Sequence, residues 1–271
     1  MSFRSGTPTE AADSGPADAQ LQDADYNFLC QLIYERSRIH LGPDKRVLVT
    51  SRLGRRLRHH GLKNYGGYCE LLRSPQGAEE LQFLIDRIST NHTHFFREIK
   101  PFDFLREVVI PQWQAARRTE PFRIWSAASS TGEEAYSIAI HLAEHFAPAE
   151  SGRWQIEGTD ISTRVLEIAQ RGVYETERLA SIPAEVLRRH FQRGTKQWEG
   201  HFRVKDELRR RVNFQHLNLL DGDYPFADSF DLIFCRNVKI YFDRPTQETL
   251  VHQLAAKLLP GGHLLVATRK V

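Results

Sequence analysis

The segment from Phe122 to Ile140, FRIWSAASSTGEEAYSIAI, constrains the fold of this chain more than any other. Its apolar start, Phe122–Ser126, predicts a buried strand, and the small residues Ala127–Gly132 that follow predict a tight loop. A helix is expected next, because two acidic residues occupy its first turn and apolar residues continue its pattern. A buried strand, a short loop and a helix form the unit from which parallel α/β sheets are built.

A second strand, Trp154–Gly158, follows about one βα unit later and ends in Thr159 and Asp160. A loop of small residues lets a nucleoside approach the backbone, and an acid at the next strand end can accept hydrogen bonds from both ribose hydroxyls. The loop has one glycine, Gly132, where a dinucleotide fingerprint has three, and the two glutamates after it would repel a diphosphate. A ribose-containing cofactor with a cationic or zwitterionic end fits better, and S-adenosylmethionine is the obvious candidate. A plain turn without a ligand is the alternative.

The composition is that of a globular protein, with 271 residues and 41% hydrophobic side chains. This length allows one α/β domain and a smaller one. No apolar run approaches the ~20 residues that span a bilayer, so no direct membrane insertion is expected. Three cysteines, Cys30, Cys69 and Cys235, lack metal spacing and are expected to be reduced thiols of a cytoplasmic protein. His92 and His94 lack acidic or cysteine companions, so no metal site is expected.

The net charge is only +3, but the segment Lys45–His60, KRVLVTSRLGRRLRHH, is strongly basic. A local basic face indicates an acidic partner, and a merely solvated helix face is the alternative. Nucleic acid is not the expected partner, because no aromatic stacking residues are interleaved and no nucleic-acid-binding motif appears.

The chain divides into four predicted regions. They are a disordered tail over 1–20, a helical domain over 21–88, a linker carrying site residues over 89–100, and the α/β domain over 101–271. The tail is rich in Ser, Pro, Ala, Gly and Asp. The helical domain has short breaks at Gly61 and at Ser74-Pro75. Its apolar stripe of Leu48, Leu53 and Leu57 predicts that the arginines lie on the opposite face.

Five strands are expected in the α/β domain, near residues 122–126, 154–158, 211–216, 230–235 and 262–267. The main helices are expected at 101–118, 132–147, 161–172, 183–191 and 245–258. Gly261-Gly262 after Pro260 predicts a turn into the last strand. An insertion at about 192–209 is expected to form a small antiparallel β-subdomain, because Gly194 and Gly200 bracket a turn and His201–Val204 alternates like a strand. A surface loop and an interaction edge are the alternatives there.

Five motifs in chain order resemble the chemoreceptor glutamate O-methyltransferases, the CheR family. Asn91–Glu98, NHTHFFRE, resembles the family signature N-x-T-x-F-F-R-E, and Ser126–Tyr136 resembles its S-A-x-x-S-T-G-E-E-x-Y segment. Thr159–Ile161 is similar to its strand-end acid, Gly172–Tyr174 to its G-[VI]-Y, and Phe230–Phe242 to its F-D-x-I-F-C-R-N-V-x-I-Y-F run. The basic segment also matches, and the resemblance covers roughly residues 23 to 266 in a single register.

The resemblance implies a class I S-adenosylmethionine-dependent methyltransferase: an α/β, Rossmann-like sheet with a small N-terminal all-helical domain and an inserted antiparallel β-subdomain. It implies methyl esterification of glutamates on the cytoplasmic helices of methyl-accepting chemoreceptors, with S-adenosylhomocysteine as the product. Carried over residue by residue, it implies catalytic roles for Arg97 and Tyr241. It implies cofactor contacts from Asn91, Thr93, Arg97, Glu134, Asp160, Asn218, Leu219, Arg236 and Asn237. It implies substrate binding by the basic residues Lys45, Arg46, Arg52, Arg55, Arg56 and Arg58.

Within that set, Glu134 is expected at the methionine amino group, Asp160 at the ribose and Asn218-Leu219 at the adenine. The chain departs from the family in two respects. Lys239 stands where the family commonly has an apolar residue such as Met, and the chain ends before two further strands of the family, which would expose the last strand as a sheet edge. Tether binding through the β-subdomain stays open, because Lys196 stands where tether-binding members have the second glycine of a G-x-G. A non-catalytic relative is the alternative function. A nucleic-acid methyltransferase is opposed by the lack of an N/D-P-P-Y or Pro-Cys signature.

Overall fold

The computed structural model describes residues 20–89, 91–116, 118–146 and 152–266. The predicted disordered tail, residues 1–20, lies outside the described residues apart from Gln20. The described residues form two compact units. The first unit holds the residues up to Glu35 and Leu41–Ile88, and the second holds Arg36–His40 and the residues from Ser89 onward. Nothing in the hydrophobic pattern indicates that residues 36–40 belong with the second unit.

In its described residues the first unit is built on four α-helices, α1 Asp23–Ser37, α2 Arg46–His59, α3 Tyr65–Arg73 and α4 Gly77–Ile88, of which α1 runs two residues beyond the unit. The break between α2 and α3 falls at Gly61, and the Asn64 side chain caps α3 by accepting a hydrogen bond from the Gly67 N–H at 2.9 Å. The stripe predicted on α2 is partly wrong. Val49, not Leu48, lies in the core, and Arg56 is buried on the same side.

The second unit is built around a five-stranded parallel sheet of β1 Phe122–Ala127, β2 Trp154–Asp160, β6 Val212–His216, β7 Phe230–Cys235 and β8 Leu258–Val266. The strand order is β6-β2-β1-β7-β8, so the order reverses at β1. Every residue of β7 and most of β1 are buried, as expected for strands covered on both faces. The predicted α/β fold class is confirmed. Ligands of such sheets bind at the carboxyl ends of the strands beside the reversal.

The helices of the second unit have the bounds α5 Lys100–Phe104, α6 Ile110–Ala115, α7 Glu133–His145, α8 Thr163–Arg171, α9 Ala184–His190, α10 Asp206–Arg209 and α11 Arg244–Ala255. A π-helical turn, Leu105–Val109, joins α5 to α6 where the sequence predicts one uninterrupted helix. The turn predicted at Gly261-Gly262 is also wrong. Both glycines lie within β8, where the pairing with β7 is irregular and Gly261 has a φ of 81°.

The predicted β-subdomain is confirmed as a three-stranded antiparallel sheet. Two of its strands are β4 Phe191–Arg193 and β5 His201–Val204. The third, β3 Val173–Glu175, pairs with β5 and lies outside the predicted insertion. The order β3-β5-β4 leaves β4 at one edge of the small sheet. Among the described helices, none is both long and apolar enough to cross a membrane.

Candidate functional site

The candidate site lies at the carboxyl ends of β1, β2 and β7. Ala127 on β1 pairs with Thr159 on β2 and with Cys235 on β7. Asp160 follows Thr159 on one side of β1, and Arg236 follows Cys235 on the other side. This register brings two charged side chains, both buried, to the two flanks of the loop that follows β1.

Asp160 is held in place by backbone amides. Its Oδ2 accepts a hydrogen bond from the Ser130 N–H at 2.8 Å, and its Oδ1 accepts one from the Ser162 N–H at 3.0 Å. An ionised carboxylate is an acceptor-only group with about four lone-pair sites, which is the chemistry that suits hydroxyl donors such as those of a ribose.

Glu134, in the first turn of α7, forms the other acidic part of the site. Its carboxylate accepts hydrogen bonds from the Ser126 hydroxyl at 2.8 Å and from Arg236 at 3.1 Å. Burial raises the pKa of the Glu134 carboxyl, while the Arg236 charge and the Ser126 hydrogen bond act in the opposite direction. The remaining lone pairs suit an ammonium donor, so the residues present fit both the ribose and the amino group of S-adenosylmethionine.

Arg236 connects the sheet to the segment before α5. Its guanidinium donates to the Glu98 carboxylate at 2.9 Å and to the Arg97 carbonyl at 2.6 Å, and its side chain is only 2% exposed. The Arg97 guanidinium in turn donates to the His92 carbonyl at 2.9 Å. The structure therefore brings together Arg97, Glu134 and Arg236, which the resemblance assigned to one site.

The segment predicted as a linker packs into the second unit. Phe95 is fully buried, with its ring 5.0 Å from that of Tyr174, and its carbonyl accepts a hydrogen bond from the Ser181 hydroxyl at 3.0 Å. The Phe96 N–H donates to the Ser137 hydroxyl on α7 at 2.9 Å. The Asn91 carbonyl accepts from the Ser130 hydroxyl at 3.2 Å. These bonds fix residues 91–98 against the loop after β1.

Left-handed backbone conformations concentrate around this site. In the loop after β1, Ala128 and Ser130 have φ values of 64° and 52°. Phe96 and Glu98 have φ values of 53° and 58°, and Asn237, next to Arg236, has 57°. Such conformations cost roughly 1–3 kcal/mol each in residues other than glycine and persist where surrounding structure holds them. Here the Ser130 conformation directs its N–H at Asp160.

A buried ion pair behind the loop was not indicated by the sequence motifs. Glu133 is fully buried, and its carboxylate contacts Arg178 at 2.9 Å and accepts a hydrogen bond from the Thr131 hydroxyl at 2.6 Å. Burial raises the pKa of Glu133, with Arg178 acting against this shift. The Tyr174 hydroxyl donates to the Thr131 carbonyl at 2.8 Å, so β3 of the small sheet also supports the loop. The missed signal was the pair of adjacent glutamates, of which only Glu134 faces the site.

The other predicted cofactor residues are placed less directly. The Asn218 amide donates to Asp221 at 2.8 Å and to the Arg36 carbonyl at 3.2 Å, so it shapes the turn after β6, and the adjacent Leu219 is buried. Asn91, Thr93 and Asn237 are half-buried. Tyr241, also half-buried, ends a 3₁₀ turn, Lys239–Tyr241, and its carbonyl accepts from the His40 N–H at 3.3 Å. The roles of these residues stay predictions.

Cys235 is a core residue. It is fully buried, and burial raises the pKa of its thiol to about 12, so the thiol stays protonated at neutral pH. Among the residues that the structure describes, no group of three or more His, Cys, Asp and Glu side chains could hold a metal ion.

The basic residues of the first unit do not form one open surface. Arg56 is buried and donates to the Glu80 carboxylate, which also accepts from the Tyr68 hydroxyl at 2.7 Å. The prediction that Arg56 binds substrate is therefore corrected: its charge is already matched by Glu80 inside the helical unit. Arg52 donates to the Ile88 carbonyl at 2.7 Å and helps to end α4.

The other five predicted substrate-binding residues, Arg52 among them, keep that prediction. Lys45 is exposed and pairs with Asp44, and Arg46 donates to Asp23 at 2.5 Å. Arg55 and Arg58 are half-buried on α2.

Two protein-family models match consecutive parts of the chain. The model described as "CheR methyltransferase, all-alpha domain" matches residues 24–89, and the one described as "CheR methyltransferase, SAM binding domain" matches residues 91–269. Together they cover both units and all of the candidate site.

Characterised relatives are similar along most of their length. A chemotaxis protein methyltransferase of Salmonella typhimurium is 45% identical over 90% of this chain and 82% of its own length. One of Klebsiella aerogenes is 44% identical over 95% of this chain and 89% of its own. A crystal structure of the glycopeptide N-methyltransferase MtfA with S-adenosyl-L-homocysteine is 17% identical, with a TM-score of 0.33 over 58% of this chain and 47% of that one, and adds nothing about function.

Proposed function

This chain belongs to the CheR methyltransferase family, and from that premise we propose that it methyl-esterifies specific glutamate side chains of bacterial chemoreceptors. At the coarser level it is an S-adenosylmethionine-dependent chemotaxis protein methyltransferase. The observation that best supports glutamate as the acceptor is the cluster of Arg97, Arg236 and Glu134 beside the cofactor residues. Such a cluster offers cationic donors to a carboxylate at the place where the cofactor is bound.

The chemistry asks little of the protein as an acid or a base. A glutamate side chain has an ordinary pKa of about 4.3, so it is already ionised and nucleophilic at neutral pH. When bound, S-adenosylmethionine supplies a methyl group on a positively charged sulfur. The chain's own task is to align a carboxylate oxygen with that methyl group, and such positioning contributes ~7–11 kcal/mol in favourable cases.

We assign the positioning to residues on both flanks of the site. Asp160 would hold the ribose hydroxyls, Glu134 the amino group, and Asn218 with Leu219 the adenine. Arg97 would hold the substrate carboxylate. The Arg97 guanidinium donates to the His92 carbonyl through Nη1, and its other N–H groups are the donors that we propose for the substrate carboxylate.

The second carboxylate oxygen has to stay free. A bidentate clamp on the substrate would stabilise the reactant and slow its attack. We therefore propose that Arg97 donates to one substrate oxygen only. Tyr241, at the end of the 3₁₀ turn, is proposed to orient the same group through its hydroxyl.

Substitution of Arg97 tests this assignment. We expect Arg97→Ala to lose methyl transfer by about 10²-fold or more, while S-adenosylhomocysteine binding falls much less, because the residue acts on the acceptor. Transfer is measured as base-labile tritiated methyl ester on receptor-containing membranes, and binding by calorimetry. The control is Arg106→Ala, an exposed arginine that contacts Asp103 and Glu107. Equal loss of transfer and of binding would refute the role, and binding by the wild type without any transfer would favour a non-catalytic relative.

The proposed partners are the cytoplasmic helices of methyl-accepting chemoreceptors, so we propose the cytoplasm as the site of action. The half-buried arginines Arg55 and Arg58 of α2, with the exposed Lys45 before it, are proposed to attract acidic receptor helices. A receptor C-terminal tether is proposed to add to the small sheet at its edge strand β4, since edge strands accept extended peptides. Its test is a calorimetric titration with a receptor C-terminal peptide, and no heat of binding would refute it.

A further inference from the structure

Two exposed isoleucines lie beside the residues that hold the candidate site. In the described part of the second unit, the large apolar side chains that stay exposed are Ile99, at 58%, and Ile240, at 53%. Exposed apolar side chains of this size are common singly but indicate a binding surface when they cluster at a site.

Arg236 is what brings these two isoleucines to the same site. Its guanidinium binds the Glu98 carboxylate, and Ile99 is the next residue after Glu98. Ile240 lies four residues after Arg236, in the 3₁₀ turn that follows β7. Both segments therefore adjoin the same buried arginine, Ile99 through its neighbour Glu98 and Ile240 through the turn that follows β7.

A half-buried cation completes this surface. Lys239 precedes Ile240, and its ammonium makes no ion pair with any residue that the structure describes. Burial raises the pKa of the Cys235 thiol, and the Lys239 ammonium acts against that shift, so its charge lies near the end of β7.

The charges around the site select an anion. Arg236 is matched by Glu98 and Glu134, whereas neither Arg97 nor Lys239 forms a direct ion pair with a carboxylate that the structure describes. Two cations without direct ion-pair partners attract a carboxylate more strongly than a neutral amide or a methyl ester. The substrate is thereby favoured over the product of the same reaction.

A helix is the substrate that can present a glutamate together with apolar side chains on one face. On a helix, residues three and four positions from a glutamate lie on the same face, about 5–6 Å away. Resting on the proposed function, we propose that Ile99, Lys239 and Ile240 form a docking rim for the methylated receptor helix. Apolar side chains one turn before and after the accepting glutamate cover the two isoleucines, and Lys239 attracts the carboxylate.

The double variant Ile99→Ser/Ile240→Ser tests the apolar part of the docking rim in the full chain. Its KM for membranes carrying a methyl-accepting chemoreceptor should rise about tenfold, because two apolar contacts are lost, while kcat and S-adenosylhomocysteine affinity stay within about twofold. Ile99→Leu/Ile240→Leu should restore KM. Val251→Ser, a half-buried position on α11, is the control.

The charge is tested separately. Lys239→Gln should raise KM for the same membranes about threefold and weaken its dependence on salt, whereas Lys239→Arg should preserve both. Serine substitutions of the apolar receptor residues next to the accepting glutamate should add little to the KM of the Ile99→Ser/Ile240→Ser variant, because the same contact is already lost.

The docking rim is overturned if KM is unchanged in the double variant while the wild type methylates receptors. It is also overturned if the effects of the receptor substitutions and of the enzyme substitutions on KM are fully additive. A double variant that changes only from dimer to monomer in sedimentation would assign the rim to a second copy of this chain. Absence of any methyl ester with the wild type would refute the proposed function, and the rim with it.

Discussion

Arg236 is the residue whose replacement we expect to damage the site most. Its side chain is 2% exposed and donates to Glu134, Glu98 and the Arg97 carbonyl. Arg236→Met would leave the Glu134 carboxylate, which is 14% exposed, without its cation. Removing one partner of a buried ion pair costs about 3–5 kcal/mol, and the half-exposed Glu98 would contribute at most ~1 kcal/mol.

The expected loss is measurable by thermal unfolding. At about 2–4 °C for each kcal/mol in a domain of this size, Arg236→Met should lower the Tm by roughly 6–20 °C. All four tryptophans, Trp113, Trp125, Trp154 and Trp198, lie in the second unit, so their fluorescence reports on that unit separately from the helical one. Glu98→Gln is the matched control and should shift the unfolding free energy by less than about 1 kcal/mol.

A double variant decides whether the pair is responsible. Arg236→Met/Glu134→Gln should be more stable than Arg236→Met alone, because no uncompensated charge stays buried. Loss of Arg236 should also raise the pKa of Glu134 further. An acid with a higher pKa in the folded state binds more protons when folded, so the Tm of Arg236→Met should rise as pH falls from neutral toward the ordinary glutamate pKa. A Tm within about 2 °C of the wild type, or fully additive effects of the two substitutions, would refute this reasoning.

Three further predictions follow from other parts of the chain. Asp160→Ala should weaken S-adenosylhomocysteine binding about 10²-fold in calorimetry, since two charge-assisted hydrogen bonds are lost, whereas the exposed Asp206→Ala should not; equal affinities would remove Asp160 from the cofactor site. Arg55→Glu/Arg58→Glu should raise KM for receptor membranes and flatten its salt dependence, and an unchanged KM would return α2 to a solvated face. Hydrogen bonds from Arg56, Tyr68 and His60 outweigh burial and lower the pKa of Glu80. Helicity of the first unit should therefore decline as pH falls below the ordinary glutamate pKa, and Glu80→Gln should lessen that decline; the same acid profile in both proteins would contradict it.

The sheet was predictable because its signal is local. Apolar runs such as Phe230–Cys235 are buried on both faces, and the turn residues around them mark where each strand ends. The last strand was misjudged because Gly261 and Gly262 ordinarily indicate a turn, whereas here they lie inside β8 at an irregular pairing with β7. Local residue type does not distinguish a turn from an irregular strand, because both use the same left-handed conformations.

Burial of Arg56 was unpredictable for a different reason. Its position in a basic run indicates solvent, and its partner Glu80 lies 24 residues away on α4. A charge enters a core only where such a partner and further donors meet it, and here Tyr68 and His60 supply them. Tertiary pairing of this kind has no trace in the hydrophobic pattern of α2.

The acids of the site were found from the sequence, but not what holds them. Asp160 and Glu134 were identified because each follows a strand end or begins a helix. The structure adds that the Ser130 N–H holds the Asp160 carboxylate in place. Ser130 does so from a left-handed backbone conformation, which no sequence rule would assign to a serine at this position. The loop keeps that conformation because Tyr174 binds its Thr131 carbonyl and the Ser130 hydroxyl binds the Asn91 carbonyl. The loop after β1 is therefore shaped by the small sheet and by residues 91–98 as much as by its own sequence, and because we propose that this loop binds the cofactor, substitutions in those supporting residues should alter cofactor affinity.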